Sequence, residues 1–316
     1  MGRGGKKGGK GGRGRRLSPE EDAARYLAGY PDLVDDPEAW DNVRFHMGEI
    51  KSRSMDAKWP EDTVDNIHSK WWGDYGMLER HHSWVQWLFP IREQGVNRDS
   101  QPLTVAEREE ILKDSTCLER LHVSYELAMD FYGFSVERTT GHLQRTASFQ
   151  ERFANLNSKS HNFLRLTRIL KWLGEFNLAH YQSPLICALA RAVYEPPQHV
   201  WEMRKSLRDY FVPVVKDAAE RARLVEAVLR MDDAAIAAWE GDSRQQAALQ
   251  LLLQSLEGRE ASVPVEPTAA AAPVAASEEQ AKSDDKPKDE SKYVHEAASS
   301  GGPKRFRGKG KGAGGK

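Results

Sequence analysis

An all-α fold of roughly eight to ten helices with short connections is predicted by three features of this sequence. Apolar residues return to one helical face, most plainly at Leu118, Leu121, Tyr125, Ala128, Met129 and Tyr132. Two capping boxes, Ser18 with Glu21 and Thr104 with Glu107, mark helix starts. No segment carries a convincing period-2 alternation of the kind a half-buried strand needs.

The elements follow in order. Residues 1–16 hold only glycine, cations and a single methionine, which cannot bury a face, and are expected to be disordered. Ser18-Pro19-Glu20-Glu21 opens the first helix, which Gly29 ends. A turn-rich stretch from Tyr30 to Pro37 leads to a second helix from Glu38 to about Met47. Pro60-Glu61-Asp62 is expected to open a third, carrying Val64, Ile67, His68, Trp71 and Trp72 until Gly73 breaks it. One continuous helix is then predicted from Asp74 to Phe89, stopped by Pro90. Residues 91–103 read as polar loop, Thr104 starts the next helix, and Gly133 stops the one through Tyr132. Residues 134–146 look irregular. Helical patterns resume near Ser148 and continue through Phe163–Leu173, Leu185–Val193 (closed by Pro196-Pro197) and Met203–Val214, where Pro213 removes an internal hydrogen bond. Leu224–Leu229 and Leu249–Leu256 are shorter late candidates. From Gly258 the composition turns to Ala, Pro, Ser, Glu and Lys. Three regions result: an arm at 1–16, a helical domain at 17–257 and a disordered tail at 258–316.

Charge divides along the same lines. The N-terminal arm carries seven cations, Arg13, Arg15 and Arg16 among them, and residues 304–316 carry six, including Lys304, Arg305 and Arg307. Between the arms 33 basic residues face 47 acidic ones, a net charge of −14, so the near-neutral total hides an acidic body with two cationic ends. Two cysteines in so large a body suit a reducing compartment better than a disulfide framework. The basic start has no apolar run behind it, unlike a secretory signal, and no stretch is apolar for long enough to span a bilayer. An intracellular, soluble protein is expected.

The stretch Asp74–Pro90 organises the chain. It sets Trp84, Trp87, Leu88 and Phe89 beside His81 and His82, and five of the nine tryptophans fall between positions 59 and 87. Such a density marks either the centre of a core or a recognition surface.

WWGDYGMLERHHSWVQWLFPIRE (Trp71–Glu93), SYELAMDFYGF (Ser124–Phe134), ERFANLNSKSHNFLRLTRILKWLGEFNLAHYQSPL (Glu151–Leu185) and LRDYFVPVVK (Leu207–Lys216) resemble, in order, the conserved domain of the opioid growth factor receptor family. The similarity runs from about Asp41 to Lys216. It departs at His82, where asparagine is expected, and at Trp71-Trp72, where a more polar pair is expected. The resemblance implies a helical, non-enzymatic receptor-like protein that binds a short opioid peptide of the Met-enkephalin type and restrains growth. It also implies residence in nucleus and cytoplasm, peripheral to the nuclear envelope, without a transmembrane helix. No ligand-contact residue is carried over from the family.

From the residues themselves, a short aromatic peptide with a free amine wants an apolar slot and a carboxylate. Trp84 and Trp87 are candidates for the slot, Asp74 and Glu79 for the carboxylate, with His81 beside them. The competing reading makes the aromatics a core between helices and Asp74 an N-cap. His68, His81, His82 and His161 fit no metal-ligand spacing, and His161 reads as a polar partner of local backbone. Glu126 and Asp130 share a helix face, but no nucleophile motif or phosphate loop accompanies them, so no catalytic residue, metal or cofactor is assigned. Matches to G-x-G-x-x-G at Gly9–Gly14 and Gly310–Gly315 lack the strand and helix that would give them meaning. The arms have a clearer message: Arg13, Arg15, Arg16, Lys304, Arg305 and Arg307 can neutralise phosphates of RNA or DNA, lie on an anionic lipid surface, or serve as nuclear-import signals. Arg165, Arg168 and Lys171 step along one helix face, read as solvated or as a phosphate contact.

Overall fold

The structure, a computed structural model, describes residues 17–260 apart from 198, 240 and 241. The arms, including Arg13, Arg15, Arg16, Lys304, Arg305 and Arg307, lie outside the described residues. Thirteen α-helices and one two-stranded hairpin make up the described part. The fold class is all-α, with more helices than the periodicity indicates.

Helix α1 (Pro19–Leu27) begins with the expected capping box, Ser18 Oγ accepting from Glu21 N and Glu21 Oε2 from Ser18 N. α2 is shorter than predicted (Asp41–His46). α3 (Val64–Lys70) starts after the Pro60-Glu61-Asp62 run, with Thr63 rather than the proline at its entrance. Gly73 ends that segment at φ +79°, a conformation that costs glycine little. The predicted Asp74–Phe89 helix is in fact two, α4 (Tyr75–Arg80) and α5 (Trp84–Leu88), separated at His81, where ψ reaches 106°.

α6 (Val105–Ile111) carries the second capping box, Thr104 with Glu107, and α7 (Ser115–Phe131) is the long helix that the apolar spacing predicts. The stretch read as irregular contains an antiparallel hairpin, β1 (Phe134–Val136) and β2 (Leu143–Arg145), paired Phe134 to Arg145 and Val136 to Leu143. Three residues a strand is too short for alternation to show. α8 (Phe149–Ser158), α9 (His161–Glu175) and α10 (Gln182–Tyr194) follow. α10 is buried on nearly every side, from Leu185 through Tyr194, which marks it as the central helix.

Residues Trp201–Val214 wind as 3-10 turn, α11 (Arg204–Ser206), π turn (Leu207–Phe211) and a last 3-10 turn over Val212–Val214, where Pro213 cannot donate into a regular ladder. α12 (Ala218–Trp239) and α13 (Ser243–Glu260) are much longer than the short late segments predicted, and both pack on α10.

Candidate functional site

The aromatic cluster is core. Trp84 and Trp87 have no exposed surface, and each indole N–H is spent on a backbone carbonyl, Trp84 Nε1 on Leu78 O at 2.8 Å and Trp87 Nε1 on Arg53 O at 2.9 Å. Trp84 meets Phe89 and Phe131 edge-on, and Phe89 meets Trp172 at 4.9 Å and 89°, so an aromatic chain ties α5 to α7 and α9. His81 is equally buried between Trp71 and Trp59, with Nε2 3.0 Å from Pro60 O. The peptide slot expected from Trp84, Trp87 and His81 is therefore absent, because tertiary packing consumes their surface.

Asp74 and Glu79 have a different setting. With Gly73, Tyr75, Gly76, Arg80, Glu151, Arg152 and Asn155 they line an open surface cavity of about 420 Å³ between α4 and α8. Asp74 caps α4, Oδ1 accepting from Met77 N at 2.9 Å. Glu79 Oε2 accepts from Asn155 Nδ2 at 2.7 Å and Asn162 Nδ2 at 3.1 Å. His161 Nε2 lies 2.7 Å from Glu79 Oε1, a polar contact to a carboxylate and not the local backbone bond expected of His161. Burial alone would raise the Glu79 carboxyl; the two asparagine amides, with His161 and Arg165, outweigh it and hold the group below its usual range. The His82 ring lies tilted against His161, centroids 5.2 Å apart. Burial lowers both imidazoles.

The remaining lining escaped sequence reasoning. Tyr75 gives its hydroxyl to Asp130 at 3.0 Å, and its ring lies 4.1 Å beneath the Arg152 guanidinium. Arg152 also pairs with the exposed Glu151. The rim thus mixes carboxylates (Asp74, Glu79, Glu151) with guanidiniums (Arg80, Arg152) around one aromatic ring. Glu151, Arg152 and Asn155 come from a helix more than seventy residues downstream, and no local pattern couples them to α4.

The cationic stripe of α9 is neither solvated nor a phosphate contact. Arg165 donates to Leu78 O and Glu79 O, Arg168 to Phe89 O at 2.7 Å, and Lys171, 2% exposed, to both Asp22 and Glu93. These are internal ties that fasten α4, α5 and α1 to α9. Of the charged pair on α7, Glu126 is engaged by Arg138, which also takes Glu119. Both cysteines are buried, and neither is in a disulfide. Among the described residues no group of three or more His, Cys, Asp or Glu side chains is arranged to hold a metal ion, and no helix is long and apolar enough to cross a membrane.

Comparison with known proteins agrees with the sequence resemblance. A family model described as the opioid growth factor receptor conserved region matches residues 35–243. The opioid growth factor receptor of Rattus norvegicus is 43% identical over 209 residues, which cover 65% of this chain and 35% of that protein. Its Homo sapiens counterpart is 39% identical over 214 residues, 67% of this chain and 31% of the relative. Opioid growth factor receptor-like protein 1 of Xenopus tropicalis is 35% identical over 214 residues, 67% and 41% of the two chains. The match thus spans well under half the length of these curated relatives. No solved structure matches the chain. Matched over the hairpin and every helix from α2 to α12, this chain belongs to the opioid growth factor receptor family.

Proposed function

We propose that this chain is a non-enzymatic, receptor-like binding protein, and that its ligand is a short opioid-type peptide with a free amino terminus, held at the cavity between α4 and α8. The observation that carries the reading is the convergence of Asp74, Glu79 and Glu151 with Arg80, Arg152 and the Tyr75 ring on one cleft of about 420 Å³. That volume lies in the range of small-ligand sites, roughly 300–1,000 Å³. A zwitterionic peptide matches the mixed rim, its amine facing the carboxylates and its C-terminal carboxylate a guanidinium. Relatives named opioid growth factor receptors support the ligand class. Binding, rather than chemistry, suits Glu79: its carboxylate is held ionised by two amides, which makes it a poor proton donor.

Calorimetric titration with an enkephalin-type pentapeptide and its N-acetylated form is the test. The free-amine peptide is expected to bind saturably and the acetylated one much more weakly, with Glu151→Gln weakening the former. Equal binding of the two peptides, or none of either, would remove this reading and leave the family assignment standing. The growth-regulatory role and the nuclear and cytoplasmic location travel with the proposal. Arg13–Arg16 and Lys304–Arg307 act as its import signals, tested by the distribution of a fluorescent fusion lacking both.

A further inference from the structure

A second cavity, of about 310 Å³, opens where α11 meets the end of α12, lined by Trp201, Arg204, Ile236 and Trp239. Its two indoles are 16° from parallel with centroids 6.2 Å apart, and Trp239 is 77% exposed. The Arg204 guanidinium lies 4.4 Å over Trp201 and is steadied by Asp232 at 3.2 Å. Trp201 is thereby fixed on one face, packed edge-on against Tyr194 of the central helix, while Trp239 stands at the end of α12 with most of its surface in water.

We propose that Trp201 and Trp239 form a stacking clamp for a base of single-stranded nucleic acid. A flat ring in contact on both faces needs the flanking planes about 7 Å apart, twice an ordinary carbon–carbon contact. The two indoles stack on each other with centroids 6.2 Å apart, so Trp239, exposed at the end of α12, must swing outward to admit the base between them. Aromatic platforms of this kind take any base, because every base has a π-face. Arg204 lines the cavity, and the exposed Lys205 follows it in the chain, which leaves two cations within reach of a phosphate.

Charge complementarity extends beyond the cavity. α1 packs against Leu207–Phe211 and Val212–Val214, the segment that continues from Arg204 and Lys205. Helix α1 rests on that segment, and seven of the thirteen arm cations precede Leu17 in the sequence. An acidic body repels a polyanion, whereas cationic arms attract it without regard to sequence and the clamp gives it one fixed foothold. The clamp shares no residue with the α4–α8 cavity, so its failure leaves the peptide reading untouched.

Fluorescence anisotropy of a labelled oligouridylate, titrated with the full chain, Trp239→Ala and Trp239→Phe, tests the clamp. Trp239 is exposed, so both variants are expected to fold, and circular dichroism checks this. The alanine variant is expected to bind roughly 5- to 150-fold more weakly, the worth of one stacked base, with phenylalanine restoring most of the loss. Alanine binding as tightly as the wild type would assign all affinity to the arms and overturn the clamp. A proline-rich peptide that quenches the tryptophans when the oligonucleotide does not would give the groove to a protein partner and overturn it as well.

Discussion

Gly174→Ala is the substitution for which helix propensity and tertiary packing make opposite forecasts. Gly174 lies inside α9, where alanine ordinarily gains about 1 kcal/mol. A Cβ built there, however, falls 1.9 Å from Tyr26 Oη, 2.8 Å from Lys216 Cγ and 3.1 Å from Gln182 Nε2. Lysine can swing aside; Tyr26 cannot, being wholly buried with its hydroxyl donating to Lys171 O at 3.1 Å. Reaching an ordinary van der Waals separation requires the phenol to retreat by about 1.5 Å, which breaks that hydrogen bond and lifts α1. Overpacking costs about 1–3 kcal/mol and the hydrogen bond about 1, against the gain of about 1 from propensity, so a net loss of about 1–3 kcal/mol is expected. Urea unfolding of wild type, Gly174→Ala, Tyr26→Phe and the double variant reads this out. With the hydroxyl gone, adding the methyl is expected to cost less than about 1 kcal/mol, a coupling that only direct packing of the two positions produces. A Gly174→Ala protein more stable than the wild type would show that α1 does not seat against α9 as described, and would sink the argument.

Other outcomes follow from the same packing. Trp84→Ala and Trp87→Ala each remove a fully buried indole and are expected to lower stability by about 3–5 kcal/mol, measured by urea midpoint; a loss near zero would reopen the cluster as a surface. His46 is buried and His68 half-buried, and desolvation lowers both to about 4. The unfolded imidazole titrates near 6.5, so the stability each contributes is complete above that pH and is lost as pH falls from about 6.5 to 4, by at most about 1.4 kcal/mol per unit per histidine. Urea midpoints between those limits should show this slope, reduced in His68→Gln; a flat profile contradicts it. Deleting 1–16 and 304–316 should flatten the salt dependence of RNA or DNA binding, by roughly 0.7 in the logarithmic slope for each single-strand phosphate the arms no longer neutralise; an unchanged slope would clear the arms of any such role.

What the sequence made legible is what neighbours in sequence decide. The capping boxes at Ser18 and Thr104 need only residues three apart, and both form. α7 needs only its own periodicity, and Gly133, at φ +92°, ends it as composition suggests. Periodicity fails for the cations of α9, since a buried and a solvated guanidinium recur at the same spacing. What distinguishes them is a partner, and Asp22, Glu79, Phe89 and Glu93 lie on other elements. The cavity was half visible for the same reason: Asp74 and Glu79 belong to one helix, but their counterparts on α8 join them only in the fold.

The break between α4 and α5 shows the principle most fully. A helix running unbroken from Asp74 to Phe89 would satisfy its own backbone, and nothing local forbids it. Interrupting it at His81 frees carbonyls at the end of α4, which costs free energy unless donors reach them. The donors come from elsewhere: Arg165 of α9 gives N–H groups to Leu78 O and Glu79 O, and the Trp84 indole, swung back by the same break, gives a third to Leu78 O. His81, set free of the helix, reaches Pro60 O and accepts from Ser83 N through its other ring nitrogen. The break is therefore stabilised by an arginine more than eighty residues downstream, and it bends the tryptophans inward while leaving Asp74 and Glu79 at the surface. Arg165→Met keeps much of the side chain's length and loses every donor. It is expected to lower stability by about 2–4 kcal/mol and to open the α4–α5 junction selectively, seen as faster amide exchange at His81 and Ser83 than in α7. Uniform exchange across both regions would mean that the break owes nothing to Arg165, and that the bend is written in residues 74–90 after all.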